Sequence, residues 1–236
     1  MKAFGMVEVY SFTTAVCAAD LMAKTGNVKI IAFDRNRPFA PGFPVPLIMG
    51  AKIEGDVADV KASVEAAKNY AQSKGHYIVS HIIPNPGENV DKMAYLIDIN
   101  RDKFNKKLPK SFRGMDTCPE IHGDNAIALL EVQGLVAAIE GLDEMLKTAN
   151  VRLVHTEKRL GGRLVTVIIA GKVDAVKSAL EKGKAAAAPL GTVYGSEVIP
   201  NPHPELLKFF DMQQDPQNSW LNCRSRWLTA LCRLTS

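Results

Sequence analysis

No stretch of this chain approaches the roughly 18 uninterrupted apolar residues of a membrane span, so no membrane partner is expected. Cysteine is sparse: Cys17, Cys118, Cys223 and Cys232 are scattered, with no C-x-x-C pair, which points to neither a disulfide framework nor a zinc site. Walker loops, G-x-S-x-G and G-x-G-x-x-G are missing, and with them the usual marks of phosphate, acyl-transfer and dinucleotide chemistry. His76, His81, His122, His155 and His203 show no ligand spacing and read as surface or core side chains. Charge of one sign is also scarce. The 29 Lys and Arg against 25 Asp and Glu leave a net +4, too mild for a nucleic-acid binder with a concentrated basic face. The chain enters a strand pattern at once, with no basic region, apolar core and cleavage site in series, and the expected location is the cytosol.

What the chain does have is repetition. Asp20-Leu-Met22-Ala-Lys24-Thr25-Gly-Asn27-Val28 returns as Asp143-Glu-Met-Leu-Lys147-Thr148-Ala-Asn150-Val151. At this offset of 123, nine of the 21 positions from Glu8 to Val28 are identical to their partners. Further on, Gly55-Asp-Val57-Ala-Asp-Val60-Lys61 answers Gly171-Lys-Val173-Asp-Ala-Val176-Lys177, and Ile83-Pro84-Asn85-Pro86 answers Ile199-Pro200-Asn201-Pro202. These later pairs are offset by 116, so the first unit carries seven extra residues between Asp34 and Gly55. Two units must be explained rather than one, and 236 residues with 47% hydrophobic content suit two small soluble domains.

In the first unit, residues 4–10 read as a strand, Ser11 as an N-cap, 13–25 as a helix closed by Gly26, and 28–33 as a buried strand. Four prolines and a glycine between Asp34 and Pro46 demand a long loop, here 35–46. A strand over 47–53, an amphipathic helix over 57–73 ended by Gly75, a strand over 77–83 and a short helix over 89–97 follow. The second unit repeats this order: strand 126–132, helix 135–149, strand 151–157, strand 164–170, helix 173–188, strand 192–199 and short helix 205–210. Its middle is shorter, a tight hairpin loop from Lys158 to Gly162 in which Gly161 and Gly162 permit positive φ. Each unit is β-α-β-β-α-β with a terminal helix, which predicts an α+β chain of two tandem ferredoxin-like sandwiches. The boundaries so drawn are 1–99, a linker over 100–122 that exposes Cys118, 123–211, and a tail over 212–236. The tail puts Trp220, Cys223, Trp227 and Leu231 on one helical face. Three readings stay open for it: binding a partner through the tryptophans, docking on the rest of its own protein, or lacking order, and its foreign composition favours the last two.

Gly-Met-Val-Glu-Val at 5–9, the two Asp-x-x-x-Lys-Thr-x-Asn-Val stretches, the Gly-x-Val-x-x-Val-Lys helix starts and Val-Ile-Pro-Asn-Pro-His at 198–203 together resemble the bacterial microcompartment shell-protein domain. The resemblance covers about 4–98 and 126–210, and two such domains in one chain resemble the tandem-domain shell proteins. It implies a homotrimer that mimics a hexamer and packs edge to edge with other shell proteins to enclose enzymes, so that a partner bound by the tail would be an encapsulated enzyme. It implies that Lys24 and Lys147 lie at the tile edge. It also implies that the loop between the second and third strands lines a central pore: Arg35, Arg37 and Phe39 in the first unit, and Lys158, Arg159, Leu160, Gly161, Gly162 and Arg163 in the second. Many relatives carry Arg between the two prolines after the last strand, also at the edge, where this chain has Asn85 and Asn201. Some tandem relatives hold an iron–sulfur cluster through loop cysteines; neither loop here has one, so no cofactor is expected.

Lys158, Arg159 and Arg163, with Arg35 and Arg37, would bring rings of positive charge to the axis and favour small anionic or polar metabolites, unless they are simply solvated hairpin residues. Lys24 and Lys147, read alone, are helix-end lysines complementing the dipole. Glu8 and Glu131 end the repeated first strand without a partner carboxylate or histidine, so each reads as a structural hydrogen-bonding group rather than a general acid or base. The expected function is a non-catalytic shell tile. The alternative is a trimeric ferredoxin-like metabolite-binding regulator, with 35–46 as a ligand lid.

Overall fold

The computed structural model describes residues 2–36, 45–87, 90, 99, 125–161 and 163–211, with backbone only at 158, 159, 161 and 211. The first unit runs β1 (Ala3–Tyr10), α1 (Phe12–Thr25), β2 (Val28–Asn36), β3 (Ile48–Gly55), α2 (Val57–Ser73) and β4 (Tyr77–Ile83). The second runs β5 (Ala126–Gln133), α3 (Leu135–Thr148), β6 (Val151–Gly161), β7 (Leu164–Gly171), α4 (Val173–Ala187) and β8 (Val193–Pro200), with α5 (Pro204–Asp211) after it. The two four-stranded sheets are ordered β2-β3-β1-β4 and β6-β7-β5-β8, antiparallel throughout. This is the expected ferredoxin-like topology, built twice.

Arg37, Phe39 and Gly162 lie outside the described residues. So do nearly all of the predicted helix over 89–97, the linker over 100–122 with Cys118, and the tail over 212–236 with Trp220 and Trp227.

Two local expectations are corrected. The segment from Lys158 to Gly161 is strand rather than loop: β6 continues to Gly161, and its register against β7 slips between Glu157 and Gly161. Gly161 is strand, and among the described residues of the hairpin the left-handed one is Arg163, at φ 62. Gly26 is not left-handed either. Its backbone is extended at φ −140 and ψ 162, nearly the conformation of Ala149, its counterpart, at φ −149 and ψ 164. Glycine stands there because a Cβ would meet the Asp59 carbonyl oxygen and the Ser63 Oγ at 2.8 Å. Gly75, at φ 70, does close α2 as expected.

The sheets differ in what covers them. In β5 the side chains of Ala126, Ala128, Leu130 and Val132 face the unit's own helices. Ile127 and Leu129, on the opposite face, join Leu164, Ile168 and Ile199 in one core with α1 of the first unit. Both faces of this sheet are therefore buried, which is why β7 is buried at every position. On the matching outer face of the first sheet the β1–β4 side is the more open, and Asp34 and Gly50 on the β2–β3 side are buried. Phe4 and Ile31 are buried there, but Glu8, Val79 and His81 are exposed.

Candidate functional site: the junction between units and its open counterpart

Helix α1 is apolar or small nearly all round, and the fold uses both sides. It packs on its own sheet and against the outer face of the second, so Phe12, Thr13, Val16, Ala19 and Ala23 are all buried. Its N-terminus is capped from the other unit. Glu131, fully buried, accepts the Ser11 hydroxyl at 2.6 Å and the Thr13 and Phe12 amides at 2.9 and 3.3 Å. A carboxylate at a helix N-terminus satisfies orphan donors and meets the positive end of the dipole. Ser11 holds φ 78 to make this entry, a strained value for a residue with a Cβ, and the cap and burial hold it there. The sequence identified Glu131 only as structural; its partner lies 120 residues away.

The other end of α1 is tied down as well. Asp20 accepts the His203 amide at 2.7 Å, and Lys24 pairs with Asp20 at 2.5 Å while donating to the Pro200 carbonyl at 2.9 Å. Lys74, at the end of α2, donates to Glu197 on β8 at 2.6 Å. Phe209 on α5 meets Phe33 edge-on at 5.0 Å. A cavity of about 280 Å³ opens at this junction beside Thr13, Lys74, His76, Lys184 and Tyr194. His76 there shares a 2.7 Å hydrogen bond with Thr14, and burial lowers its pKa. Burial pushes the Cys17 thiol in α1 up to about 12, against the lowering effect of the Tyr70 hydrogen bond.

The second unit presents the same helix without a cover. Only Ala137, Ala138, Gly141 and Met145 of α3 are buried. Leu135, Val136 and Ile139 are 64%, 69% and 58% exposed, and Leu146 is exposed with them. Their counterparts in the repeat are Phe12, Thr13, Val16 and Ala23, all buried at the junction. A contiguous apolar stripe on a helix face marks a docking surface rather than a solvated one.

The residues expected at the tile edge fall into two situations. Lys24 is 35% exposed and engaged between units; Lys147 is 65% exposed and, among the described residues, pairs with Asp143, one turn back. Asn85 and Asn201 are exposed. Asn201 sits at φ 45, and its amide donates to the Asn125 carbonyl at 2.6 Å. Asn tolerates that left-handed backbone better than most residues, which accounts for its presence here.

Of the residues expected at a pore, Arg35 is next to last in β2, half-buried and not without a partner. Asp34 beside it pairs with Lys52, and burial raises its carboxyl above the usual range against the lowering effect of that lysine. Arg163 is exposed at the tip between β6 and β7, and its carbonyl accepts the Gly134 amide at 2.8 Å, linking the hairpin to the start of α3. Leu160 is 1% exposed and belongs to the core, so its side chain faces packing and not an opening. Lys158, Arg159 and Gly161 lie along the same hairpin in β6. Among the described residues no cluster of three or more His, Cys, Asp or Glu is placed to hold a metal, and no helix is long and apolar enough to cross a membrane.

The BMC domain model matches twice, over residues 3–86 and 126–202. The carboxysome assembly protein CcmO of Synechococcus elongatus is 30% identical over 216 residues, 92% of this chain and 70% of that protein. The bacterial microcompartment shell protein PduA of Salmonella typhimurium is 51% identical over 83 residues, 35% of this chain and 87% of its own length. EutM of Escherichia coli is 44% identical over 85 residues, 36% of this chain and 87% of its own. A solved microcompartment protein from Desulfitobacterium hafniense covers 88% of this chain and 99% of its own at 26% identity, with a TM-score of 0.34. With the domain model matched in both halves, each a four-stranded sheet backed by two helices, the chain belongs to the BMC-domain family of microcompartment shell proteins and carries the domain in tandem.

Proposed function

We propose that the chain is a structural tile of a microcompartment shell in the cytoplasm, without catalysis of its own. Three copies close head to tail into a ring of six domains, alternating first and second units. A head-to-tail contact of this kind closes only when each copy offers two complementary surfaces. The observation that carries the reading is the uncovered face of α3. Leu135, Val136 and Ile139 repeat a surface that α1 buries against the second sheet, and the outer face of the first sheet is left to receive it.

In that ring the β2–β3 and β6–β7 hairpins converge on the axis. Arg35, Arg37 and Phe39 alternate there with Lys158, Arg159, Gly161, Gly162 and Arg163, and the basic rings favour small anionic or polar metabolites. Lys24, Lys147, Asn85 and Asn201 lie on the outer rim, where tiles meet. Mass measurement and electron microscopy of the purified chain test the reading. Trimers that form sheets or tubes at high concentration support it, and a monomer at all concentrations overturns it. Replacing Arg163 with Glu in such an assembly is expected to reverse its preference for anionic solutes.

A further inference from the structure

The repeat relates positions as well as folds, and one buried interaction of the junction has its two halves standing apart in the second setting. Glu8 occupies in the first sheet the place of Glu131 in the second. It is paired in register with Gly50 and Val79, as Glu131 is with Thr166 and Gly195. Yet Glu131 is fully buried on three donors, while Glu8 is exposed. The donors that would match it are at the start of α3. Gly134 enters that helix at φ 107 and ψ 133, as Ser11 enters α1 at φ 78 and ψ 136, so the amides of Leu135 and Val136 are presented as those of Phe12 and Thr13 are. No side chain caps α3, and its first turn holds no acidic residue.

We propose that Glu8 of one chain caps α3 of a second copy, accepting the Leu135 and Val136 amides of its partner as Glu131 accepts those of Phe12 and Thr13 within the chain. This rests on the ring reading above and specifies which groups hold the ring closed. The apolar stripe of α3 supplies the area, and the carboxylate supplies register, because only one placement along the sheet brings it under both amides. The flanking contacts carry over in the same way. Asp143 receives the Gly87 amide in place of Asp20 with His203, and Lys147 donates to the Pro84 carbonyl in place of Lys24 with Pro200. The two kinds of junction are not identical. Gly134 has no hydroxyl, so Glu8 gains two bonds where Glu131 has three. Gly195 lies so close to Thr13 that a Cβ would approach it to 2.8 Å, whereas the matching pair between chains is Val79 and Val136. The contact between chains is thus wider and more apolar than the one within a chain.

The test compares the full-length chain with its Glu8→Ala and Glu8→Gln variants by analytical ultracentrifugation over a range of concentrations. Hydrogen exchange is read at Leu135 and Val136. Glu8 is exposed within its own chain, so both variants should keep the folded protomer. Loss of the cap is expected to weaken each junction about tenfold, and a closed ring of three such junctions on the order of a thousandfold in its formation constant. Glu8→Gln should fall between, since its amide oxygen still accepts but carries no charge. Protection of the two amides should drop in Glu8→Ala even at concentrations where the ring persists. A trimer in which Glu8→Ala alters neither dissociation nor those two amides would refute the cap while leaving the ring intact. A wild-type chain that never leaves the monomer would refute both.

Discussion

Glu131 and Ser11 share a fully buried 2.6 Å hydrogen bond that joins the end of one unit's first strand to the helix start of the other, 120 residues earlier in the chain. The two BMC domains are thereby keyed to each other through a charge at a helix terminus and not merely by apolar contact.

Glu131→Ala is expected to destabilise the chain by about 3 kcal/mol, because it strands a buried hydroxyl and two amides at once. The midpoint of denaturant unfolding checks this. Glu131→Gln should cost less, as it keeps an acceptor in place.

Ile139→Asp should leave the protomer's stability within about 0.5 kcal/mol, since Ile139 is largely exposed in the chain. The same change puts a charge at the centre of the α3 stripe, and trimers and sheets should be lost. Equilibrium unfolding alongside sedimentation separates the two effects. A destabilised protomer with its assembly unchanged would contradict the assignment of that face.

Gly26→Ala should be destabilising by about 1–3 kcal/mol, although Ala149 holds nearly the same backbone in the second unit. The cost is steric: the new Cβ meets α2 at the Asp59 carbonyl. A melt showing stabilisation would mean that α2 shifts freely, which its packing on α1 and β1 opposes.

His76 gives a signed pH dependence. Burial holds its folded pKa below the ordinary 6.5, with Lys74 adding to the effect and the Glu131 and Glu197 carboxylates opposing it. Below 6.5 the unfolded chain therefore binds more protons than the folded one at this site, so stability is present above that value and is lost as the pH falls toward the folded pKa. Thermal melts between neutral and mildly acidic pH should show the slope. His76→Asn, which can still bond Thr14, should reduce it.

Much of the fold was legible from local spacing. The β-forming runs of β1 and β5, the helical spacing in α1 through α4, the Ser11 cap and the Gly75 stop each depend on residues within a turn or a strand of one another. The repeat then required the same architecture twice. The hairpin after Glu157 was misread because Gly161 and Gly162 look like a turn. Pairing with β7 keeps the strand going to Gly161, and Arg163 is left-handed.

The amino-acid sequence by itself determined that there are two units, what elements they contain and in what order, because periodicity and capping act over a few residues. Only the tertiary structure decided what the matching residues do. It buries α1 from both sides and leaves α3 bare. It turns Glu131 into a cap and leaves Glu8 exposed, and it sets Lys24 between units while Lys147 faces water. Equivalent residues in a repeat carry nearly the same local code. Their difference comes from which surface arrives opposite them, and for α1 that surface is more than a hundred residues away in the chain.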